Sequence, residues 1–474
     1  MVPAVMSIAS SAQSPMGTDP ARQGAEPIPI DTSSGQLAEG LRLLKRGASG
    51  AFVVQIAGAG LGLLAHFAVA RLIGKSEYGI YALALSWISV LAVVAQLGQD
   101  VSVVRFLPGY CLRGEWGKAR GLRRGVGTLV FCASSLMALA GCLTVYVQSQ
   151  KHDVSWSRTF YIAFAMLPIL TQLQQSSALH RAFKRAISSG IYINVARPIV
   201  LIALLAALAW IARVHIDAAV AMTASALAAL MALGISAWHL SRAWPVQNRT
   251  VAPQYELRTW ARVGAQLSLL SIVIVAGNRL DVLLLGALTG TADVGSYYAA
   301  AQIAGFALYG LQAANVILAP MIAERYDAGD MAGLQVIARR AARLGFVGAL
   351  TVSIFFVFTG HWVLGLFGKG FESAYVQLLI LLLGFCAVTA LGEVGFMLSM
   401  TKYQIHATVF VMIGLAVNAL TAFLLVPHLG ATGAAIGAVL SIVTWRLLAL
   451  RFVIRNLGVN PAIIGRAIAP RTTT

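Results

Sequence analysis

The apolar residues of this chain are grouped into twelve long segments, and its basic residues fall almost entirely outside them. A helix that crosses the hydrocarbon core of a bilayer needs roughly 20 apolar residues. Segments of this kind recur from residue 49 to residue 454, and only 11% of all residues are charged, against about 25% in soluble proteins. The sequence therefore predicts an all-α integral membrane protein with about 12 transmembrane helices, at residues 49–72, 78–100, 126–148, 158–179, 188–211, 217–240, 264–288, 294–321, 345–367, 373–399, 406–427 and 433–454.

The basic residues orient this chain, because Lys and Arg accumulate in cytoplasmic loops. With the N-terminus in the cytoplasm, 27 of the 35 Lys and Arg are cytoplasmic, six are external, and two, Arg197 and Arg279, lie inside apolar segments. The sequence predicts a multi-pass membrane protein with both termini in the cytoplasm. The net charge of +18 then reflects topology, and no nucleic acid partner is expected.

An internal repeat predicts two pseudo-symmetric six-helix bundles. The segment LIGKSEYGIYALA, from Leu72, aligns with LTGTADVGSYYAA, from Leu288, and pairs Gly79 with Gly295. Both copies connect the first and second helices of their halves in the same orientation. The expected regions are a disordered cytoplasmic N-terminal tail (1–45), an N-terminal bundle (46–240), a cytoplasmic inter-bundle loop (241–263), a C-terminal bundle (264–456) and a cytoplasmic C-terminal tail (457–474).

Three stretches resemble the polysaccharide biosynthesis flippases of the multidrug, oligosaccharidyl-lipid and polysaccharide exporter superfamily. They are LLKRGASGAFVVQIAGAGLGLLAHFAVARLIGKSEYGIYALALSWISVLAVVAQLGQDVSVVRFLP, DVLLLGALTGTADVGSYYAAAQI and LGATGAAIGAVLS. The resemblance covers essentially the whole chain after residue 45. It implies a V-shaped cavity between two six-helix bundles, and a transporter of the bacterial inner (cytoplasmic) membrane rather than an enzyme.

The same resemblance implies the substrate and the partners. The substrate is an undecaprenyl-pyrophosphate-linked oligosaccharide, moved from the cytoplasmic to the periplasmic leaflet for exopolysaccharide, capsule or O-antigen synthesis. The implied partners are this lipid-linked oligosaccharide, the membrane lipid, and a polysaccharide polymerase with its chain-length regulator. Alternating access around a midplane site is the implied mechanism.

Arg197 and Arg279 are the predicted pyrophosphate-binding residues. The planar fork of Arg donates paired, charge-assisted hydrogen bonds to phosphate oxygens. A charge near the middle of a membrane helix costs several kcal/mol unless it faces a wet cavity or a partner. A buried ion pair or a snorkelling side chain is the alternative, but snorkelling is hard to arrange near the midplane.

A polar stripe in the eighth predicted helix is a candidate for sugar binding. Its residues recur at spacings of three and four, which places them on one helix face. Hydroxyl and amide groups suit sugar hydroxyls, although hydrogen bonding between membrane helices explains such a stripe equally well. The members are Tyr298, Gln302, Gly305, Tyr309, Gln312 and Asn315.

A shorter stripe in the first predicted helix, Gln55, Ala59, Gly62 and His66, introduces a titratable residue. Coupling of transport to protons or sodium through His66, Asp281 or Glu393 is compatible with their positions in apolar segments. The alternative is that they are neutral, hydrogen-bonded residues. Weaker candidates are Asn194 and Asn418.

Asp100 and Arg105, at the cytoplasmic end of the second predicted helix, are candidates for gating or for a plain water interface. No cofactor is predicted. The spacing of His, Cys, Asp and Glu also predicts no metal site and no catalytic residue.

Two other functions compete with the flippase. A small-molecule or multidrug exporter of the same superfamily shares the expected fold, but a cavity for cationic drugs is expected to carry acids rather than Arg. A membrane glycosyltransferase, polymerase or ligase would act on the same lipid-linked sugar. The external loops oppose it, because the longest, near Ser149–Ser157, leaves no room for a catalytic domain.

Overall fold

The structure, a computed structural model, describes residues 34–151, 153–210, 216–244, 251–309, 311, 321–322, 324–401 and 403–463. The chain divides into two compact units, Met1–Arg46 and Gly47–Thr474. Within the described residues all regular elements are helical. The α-helices are α1 (Ser34–Gln96), α2 (Gln99–Leu112), α3 (Trp116–Gln148), α4 (Val154–Ala182), α5 (Ala186–Gly190), α6 (Arg197–Trp210), α7 (Ala218–Ala243), α8 (Leu257–Leu288), α9 (Thr291–Ala304), α10 (Met331–Gly365), α11 (Tyr375–Ala390), α12 (Val394–Ser399), α13 (Gln404–Leu429) and α14 (Ala431–Leu457).

Three shorter segments join these helices. A π-helical segment, Ile191–Ala196, lies between α5 and α6, and 3₁₀ segments cover Gly305–Leu308 and Phe371–Ala374. The predicted eighth helix, 294–321, corresponds to α9 and the 3₁₀ segment that follows it. Most of its residues after Tyr309 lie outside the described part of the chain.

The helix α1 contains the first two predicted membrane helices, which are separated by a break at Gly74. That residue has φ 78° and ψ 175°, a conformation that glycine adopts without the steric cost of a Cβ. The helix also begins at Ser34, inside the segment 1–45 that was predicted to be a disordered tail. The sequence QLAEGLRLLKR, residues 36–46, is rich in strong helix formers.

The connection between the second and third predicted membrane helices, residues 101–125, is also largely helical. Leu97 and Gly98 have positive φ and end α1, and α2 and then α3 follow almost immediately. Val103, Leu107 and Tyr110 recur at spacings of four and three and are buried. The loop prediction missed this helix because its single apolar face is too short to stand out as a membrane segment.

Nine helices in the described part of the chain are long and apolar enough to cross a membrane. One of them, Val53–Gln96, includes both arms of α1. On α3, Leu136, Leu139, Leu143 and Val147 form one face and are between 63% and 69% exposed. Such a face is stable in contact with lipid, so the protein is a multi-pass, all-α membrane protein.

Small residues line the interior helix contacts. Ala218, Ala221, Ala224 and Ala228 recur at spacings of three and four along α7, and none is more than 1% exposed. The helix α7 packs against α4. Because lipid tails are as apolar as leucine, membrane helices gain most from close backbone approach, which small side chains permit.

The start of α8 is fixed to α2 and α3 at a contact that we call the Trp260 end. Trp260 is fully buried and donates from Nε1 to Tyr110 Oη at 3.1 Å. Ser102 Oγ donates to the Trp260 carbonyl at 3.0 Å, and the Gln254 amide donates to the Gly117 carbonyl at 2.9 Å. These bonds tie the first turn of α8, with the residues before it, to the predicted N-terminal bundle.

We expect Trp260→Phe to lower the free energy of unfolding by about 1–3 kcal/mol, from one lost hydrogen bond and a partly filled indole site. The lost hydrogen bond is the one that Trp260 donates to Tyr110 Oη. Burial raises the pKa of the Tyr110 hydroxyl above its ordinary value, so this hydroxyl stays protonated and itself donates to Glu256 Oε2 at 3.3 Å. Denaturant unfolding in detergent measures the change. Trp362→Phe, at a side chain that is 68% exposed, is the control. Equal stability of both variants would contradict the role assigned to Trp260.

Candidate functional site

A cavity of ≈ 190 Å³ lies between α1 and the α9 region, and the two stripes identified in the sequence face each other across it. The first-helix stripe contributes all four of its members. The eighth-helix stripe contributes Gln302, Gly305 and Tyr309. The polar residues and glycines of the lining are Gln55, Gly58, Gly62, His66, Asn194, Gln302, Gly305 and Tyr309.

Tyr298 lies beside this cavity rather than in its wall. It is 3% exposed, and its ring packs edge-on against that of His66 with 5.5 Å between centroids. His66 Nδ1 is 3.2 Å from Tyr78 Oη, so the imidazole is held by a hydrogen bond. Tyr78 was not among the predicted site residues, although it belongs to the repeated segment from which Gly79 was identified.

One of the two intramembrane arginines contacts this group of rings. Arg279 Nη1 donates to Tyr298 Oη at 3.5 Å, and its Cζ lies 5.8 Å from the Tyr298 ring centroid. Arg197 begins α6, directly after the π-helical segment that contributes Asn194 to the cavity wall. Within the described residues neither guanidinium forms an ion pair with an acid. The predicted N- and C-terminal halves therefore each place an arginine near a cavity lined with amide and hydroxyl groups.

A local distortion of the chain positions Arg197. The π-helical segment Ile191–Ala196 ends immediately before it, and π-helical turns occur frequently at functional sites. Asn194, in this segment, donates from Nδ2 to Gln55 Oε1 at 3.3 Å. A Cβ at Gly58 would lie 2.5 Å from the Cβ of Asn194, so glycine is needed for this approach of α1.

The four predicted coupling or gating residues besides His66 lie away from the cavity. Asp281 accepts a hydrogen bond from Tyr297 and is 2.8 Å from the Val282 amide. Glu393 lies at the break between α11 and α12, 3.7 Å from Arg446 Nη1. Each of these two acids thus has a close polar partner.

Asp100 and Arg105 lie on α2, near the Trp260 end. Asp100 Oδ2 is 3.9 Å from Arg181 Nη2, and Arg105 is exposed. The predicted sugar-binding residues Gln312 and Asn315 lie outside the described residues. Asn418 is buried in α13, with no hydrogen-bond partner for its Oδ1 in the described part of the chain.

The repeated glycines meet each other at a second contact, which we call the Gly79 end. A Cβ at Gly79 would lie 1.7 Å from the Thr291 carbonyl oxygen, and one at Gly295 would lie 2.2 Å from the Lys75 carbonyl oxygen. Ser76 Oγ is 2.9 Å from Thr291 Oγ1. The two copies of the repeat therefore close this end at backbone-to-backbone distance, which only glycine allows.

The cavity extends away from the Gly79 end. His66 lies eight residues before Gly74 and Gln55 lies 19 residues before it on α1, which correspond to roughly 12 Å and 28 Å of helix.

Within the described residues, no group of three or more His, Cys, Asp or Glu side chains is placed to hold a metal ion. The site therefore offers guanidinium, hydroxyl, amide and imidazole groups, a set that can bind an anion together with polar uncharged groups.

The fold is that of the transporters of the MOP superfamily. An inward-facing conformation of a multidrug resistance MATE family transporter superposes with a TM-score of 0.70 at 13% sequence identity, over 86% of this chain and 98% of that one. An outward-facing conformation of a transporter of the same description gives a TM-score of 0.61 at 13% identity, over 88% and 96%. A MOP superfamily transporter from Pyrococcus furiosus, described as having a binding pocket of reverse polarity, also gives 0.61 at 13% identity, over 88% and 96%.

At these identities the similarity establishes the fold alone. The family follows from the sequence itself, because residues 44–325 match the family described as Polysaccharide biosynthesis protein. That match covers more than half of the chain, and the chain belongs to this family. No curated protein is similar enough in sequence to match it.

Proposed function

We propose that this protein is a flippase that carries an undecaprenyl-pyrophosphate-linked oligosaccharide from the cytoplasmic to the periplasmic leaflet for surface polysaccharide synthesis. The observation that carries the proposal is the hydrogen bond of Arg279 to Tyr298 beside a polar cavity, with Arg197 one helical turn after Asn194 in the wall of the same cavity. Membership of the polysaccharide biosynthesis family supports it independently. A pyrophosphate cannot cross hydrocarbon without compensating charge, and two guanidinium groups that form no ion pair with a described acid supply that charge.

In this proposal the saccharide and pyrophosphate enter the cavity while the lipid tail stays in the bilayer. Gln302, Tyr309 and Gln55 offer amide and hydroxyl groups to the sugar. Gln312 and Asn315 extend the same sequence stripe. The protein is not an enzyme in this account, because translocation requires no covalent step.

Alternating access moves the substrate. The distribution of basic residues favours cytoplasmic termini, which makes the Gly79 end periplasmic and the Trp260 end cytoplasmic. Translocation then requires the contact of Gly79 with Gly295 to open and the cytoplasmic side to close.

Transport against a gradient needs an energy source, and protons or sodium are our candidates. His66 is the titratable residue in the cavity wall. Asp281 and Glu393 are more distant and are partnered by Tyr297 and Arg446. We also propose a polysaccharide polymerase and a chain-length regulator as partners that receive the product at the periplasmic face.

An export function for small molecules is the second candidate, because the similar solved structures include multidrug resistance transporters. Cationic drugs require acids in the cavity, whereas none of the described residues that line it is an acid, and Arg279 contacts Tyr298 beside it. Efflux of organic cations from vesicles containing the purified protein would favour this candidate over the flippase.

Deletion of the encoding gene tests the proposal in cells. We expect the undecaprenyl-pyrophosphate-linked saccharide to accumulate in the cytoplasmic leaflet and surface polysaccharide to be lost, with both effects reversed by the wild-type gene. Extraction and mass spectrometry of undecaprenyl-linked lipids measure the accumulation. Unchanged carrier lipids and normal surface polysaccharide in the deletion strain would contradict the proposal.

A further inference from the structure

A second cavity, of ≈ 210 Å³, lies among α1, α2, α4, α8 and the π-helical segment. No residue of the first cavity lines it. Its walls carry amide, hydroxyl and paired charged groups, together with a few apolar side chains. The polar residues that matter for the argument are Gln96, Asp100, Gln174, Ser177, Arg181 and Ser271.

One buried acceptor at this cavity has no hydrogen-bond partner among the described residues. Gln96 is 4% exposed, and its Nε2 donates to the Thr171 carbonyl at 2.9 Å and to Gln174 Oε1 at 3.1 Å. Its own Oε1 is buried without a hydrogen bond. Buried polar atoms are nearly always hydrogen-bonded in folded proteins, so this oxygen is suited to a donor supplied by a ligand.

The charges at the cavity are balanced. Asp100 Oδ2 lies 3.9 Å from Arg181 Nη2, and these two side chains carry opposite charges. The Asp100 carboxylate would repel a phosphate, and the Arg181 guanidinium would repel a cation. An uncharged hydroxyl can donate to Gln96 Oε1 and accept from Ser271, whereas Ser177 Oγ already donates to the Ser189 carbonyl at 2.9 Å, so neutral polyhydroxylated groups match this lining best.

The two cavities flank the same turn of helix. Ile193 lines the second cavity, while the next residue, Asn194, lines the first. Both residues belong to the π-helical segment that precedes Arg197. A single extended ligand can therefore place a charged group near Arg197 and uncharged groups on the other side of this turn.

We propose that the second cavity binds further sugar hydroxyl groups of the saccharide, beyond those that Gln302, Tyr309 and Gln55 bind in the first cavity. This assignment rests on the proposed function. Because Ser271 belongs to α8 and Gln96 and Gln174 belong to α1 and α4, the bound saccharide contacts both predicted halves. Rocking of the halves against each other then changes the relative positions of the residues that line this cavity.

Binding of two lipids to the purified protein in nanodiscs tests the assignment. One lipid is undecaprenyl pyrophosphate alone, and the other is the undecaprenyl-pyrophosphate-linked saccharide that accumulates in cells lacking the protein. The variants are Gln174→Leu, which removes an amide at similar volume, and Ser271→Phe, which fills space. The matched control is Gln172→Leu on the same helix, because Gln172 donates to the Gly127 carbonyl and does not line the cavity.

We expect both variants to weaken binding of the saccharide-bearing lipid by about tenfold or more, with binding of undecaprenyl pyrophosphate changed less than about twofold. The control should leave both Kd values unchanged. Equal weakening for both lipids, or no change for either, would overturn the assignment while leaving the proposed function in place. Failure of the wild-type protein to bind either lipid would contradict the proposed function and this assignment with it.

Discussion

Replacing Arg279 or Arg197 with Ala is expected to reduce surface polysaccharide by about tenfold or more without reducing the amount of protein in the membrane. A charge-assisted hydrogen bond contributes about 1.5–3 kcal/mol, and about 1.4 kcal/mol corresponds to a tenfold change in binding. The Ala variants remove such bonds to the pyrophosphate. Arg→Lys variants retain the charge but lose the planar fork, so they should fall between wild type and Ala.

The measurement is restoration of surface polysaccharide in the deletion strain, normalised to the amount of protein in the membrane. Arg340→Ala is the matched control, because Arg340 is exposed on α10 and lies outside both cavities. Wild-type restoration by both Arg197→Ala and Arg279→Ala would exclude a cationic binding site.

The second large effect is expected at the Gly79 end. In Gly79→Ala the new Cβ would lie 1.7 Å from the Thr291 carbonyl oxygen, a distance that no real contact tolerates. Relieving the overlap requires the backbones to separate, and overpacking of this kind costs about 1–3 kcal/mol or more. We expect the variant to favour conformations with this end open, and its transport to fall by about tenfold or more.

Disulfide formation between Ser76→Cys and Thr291→Cys measures closure of this end, because the two native hydroxyl oxygens are 2.9 Å apart. The four native cysteines, Cys111, Cys132, Cys142 and Cys386, are free and are first replaced. Gly79→Ala should suppress the cross-link.

Two further variants control this experiment. Gly295→Ala should suppress the cross-link as Gly79→Ala does, because Gly295 makes the matching contact from the other copy of the repeat. Gly60→Ala should leave cross-linking and transport unchanged, since no heavy atom lies within 4 Å of the added Cβ. Full cross-linking and full transport in Gly79→Ala would show that closure of this end does not depend on glycine.

Periodicity in the sequence predicted much of the first cavity. The stripes through Gln55 and His66 and through Gln302 and Tyr309 each occupy one helix face, and these faces line the same cavity. Sequence spacing does not predict that two helices separated by more than 200 residues face each other. The repeat identified Gly79 and Gly295 as equivalent, but only the fold brings them into contact.

The second cavity was not predicted from the sequence, because the helices that line it come from distant parts of the chain. A signal was nevertheless present, since Gln174, Ser177 and Arg181 follow one another at spacings of three and four and form a polar stripe on α4. The helix α2 was missed because a short amphipathic helix carries too few apolar residues to resemble a membrane segment. Breaks in helices, as at Gly74 and Gly392, depend on backbone conformation that a glycine permits without requiring.

Translocation by the purified protein in proteoliposomes tests the central claim most directly. The liposomes contain the undecaprenyl-pyrophosphate-linked saccharide from the deletion strain, and its appearance in the opposite leaflet is followed by a glycosidase or a lectin added outside. We predict translocation by the wild-type protein and by Arg340→Ala, and a loss of about tenfold or more in Arg197→Ala and Arg279→Ala. Absence of translocation by the wild-type protein, or equal rates in all four proteins, would contradict the account.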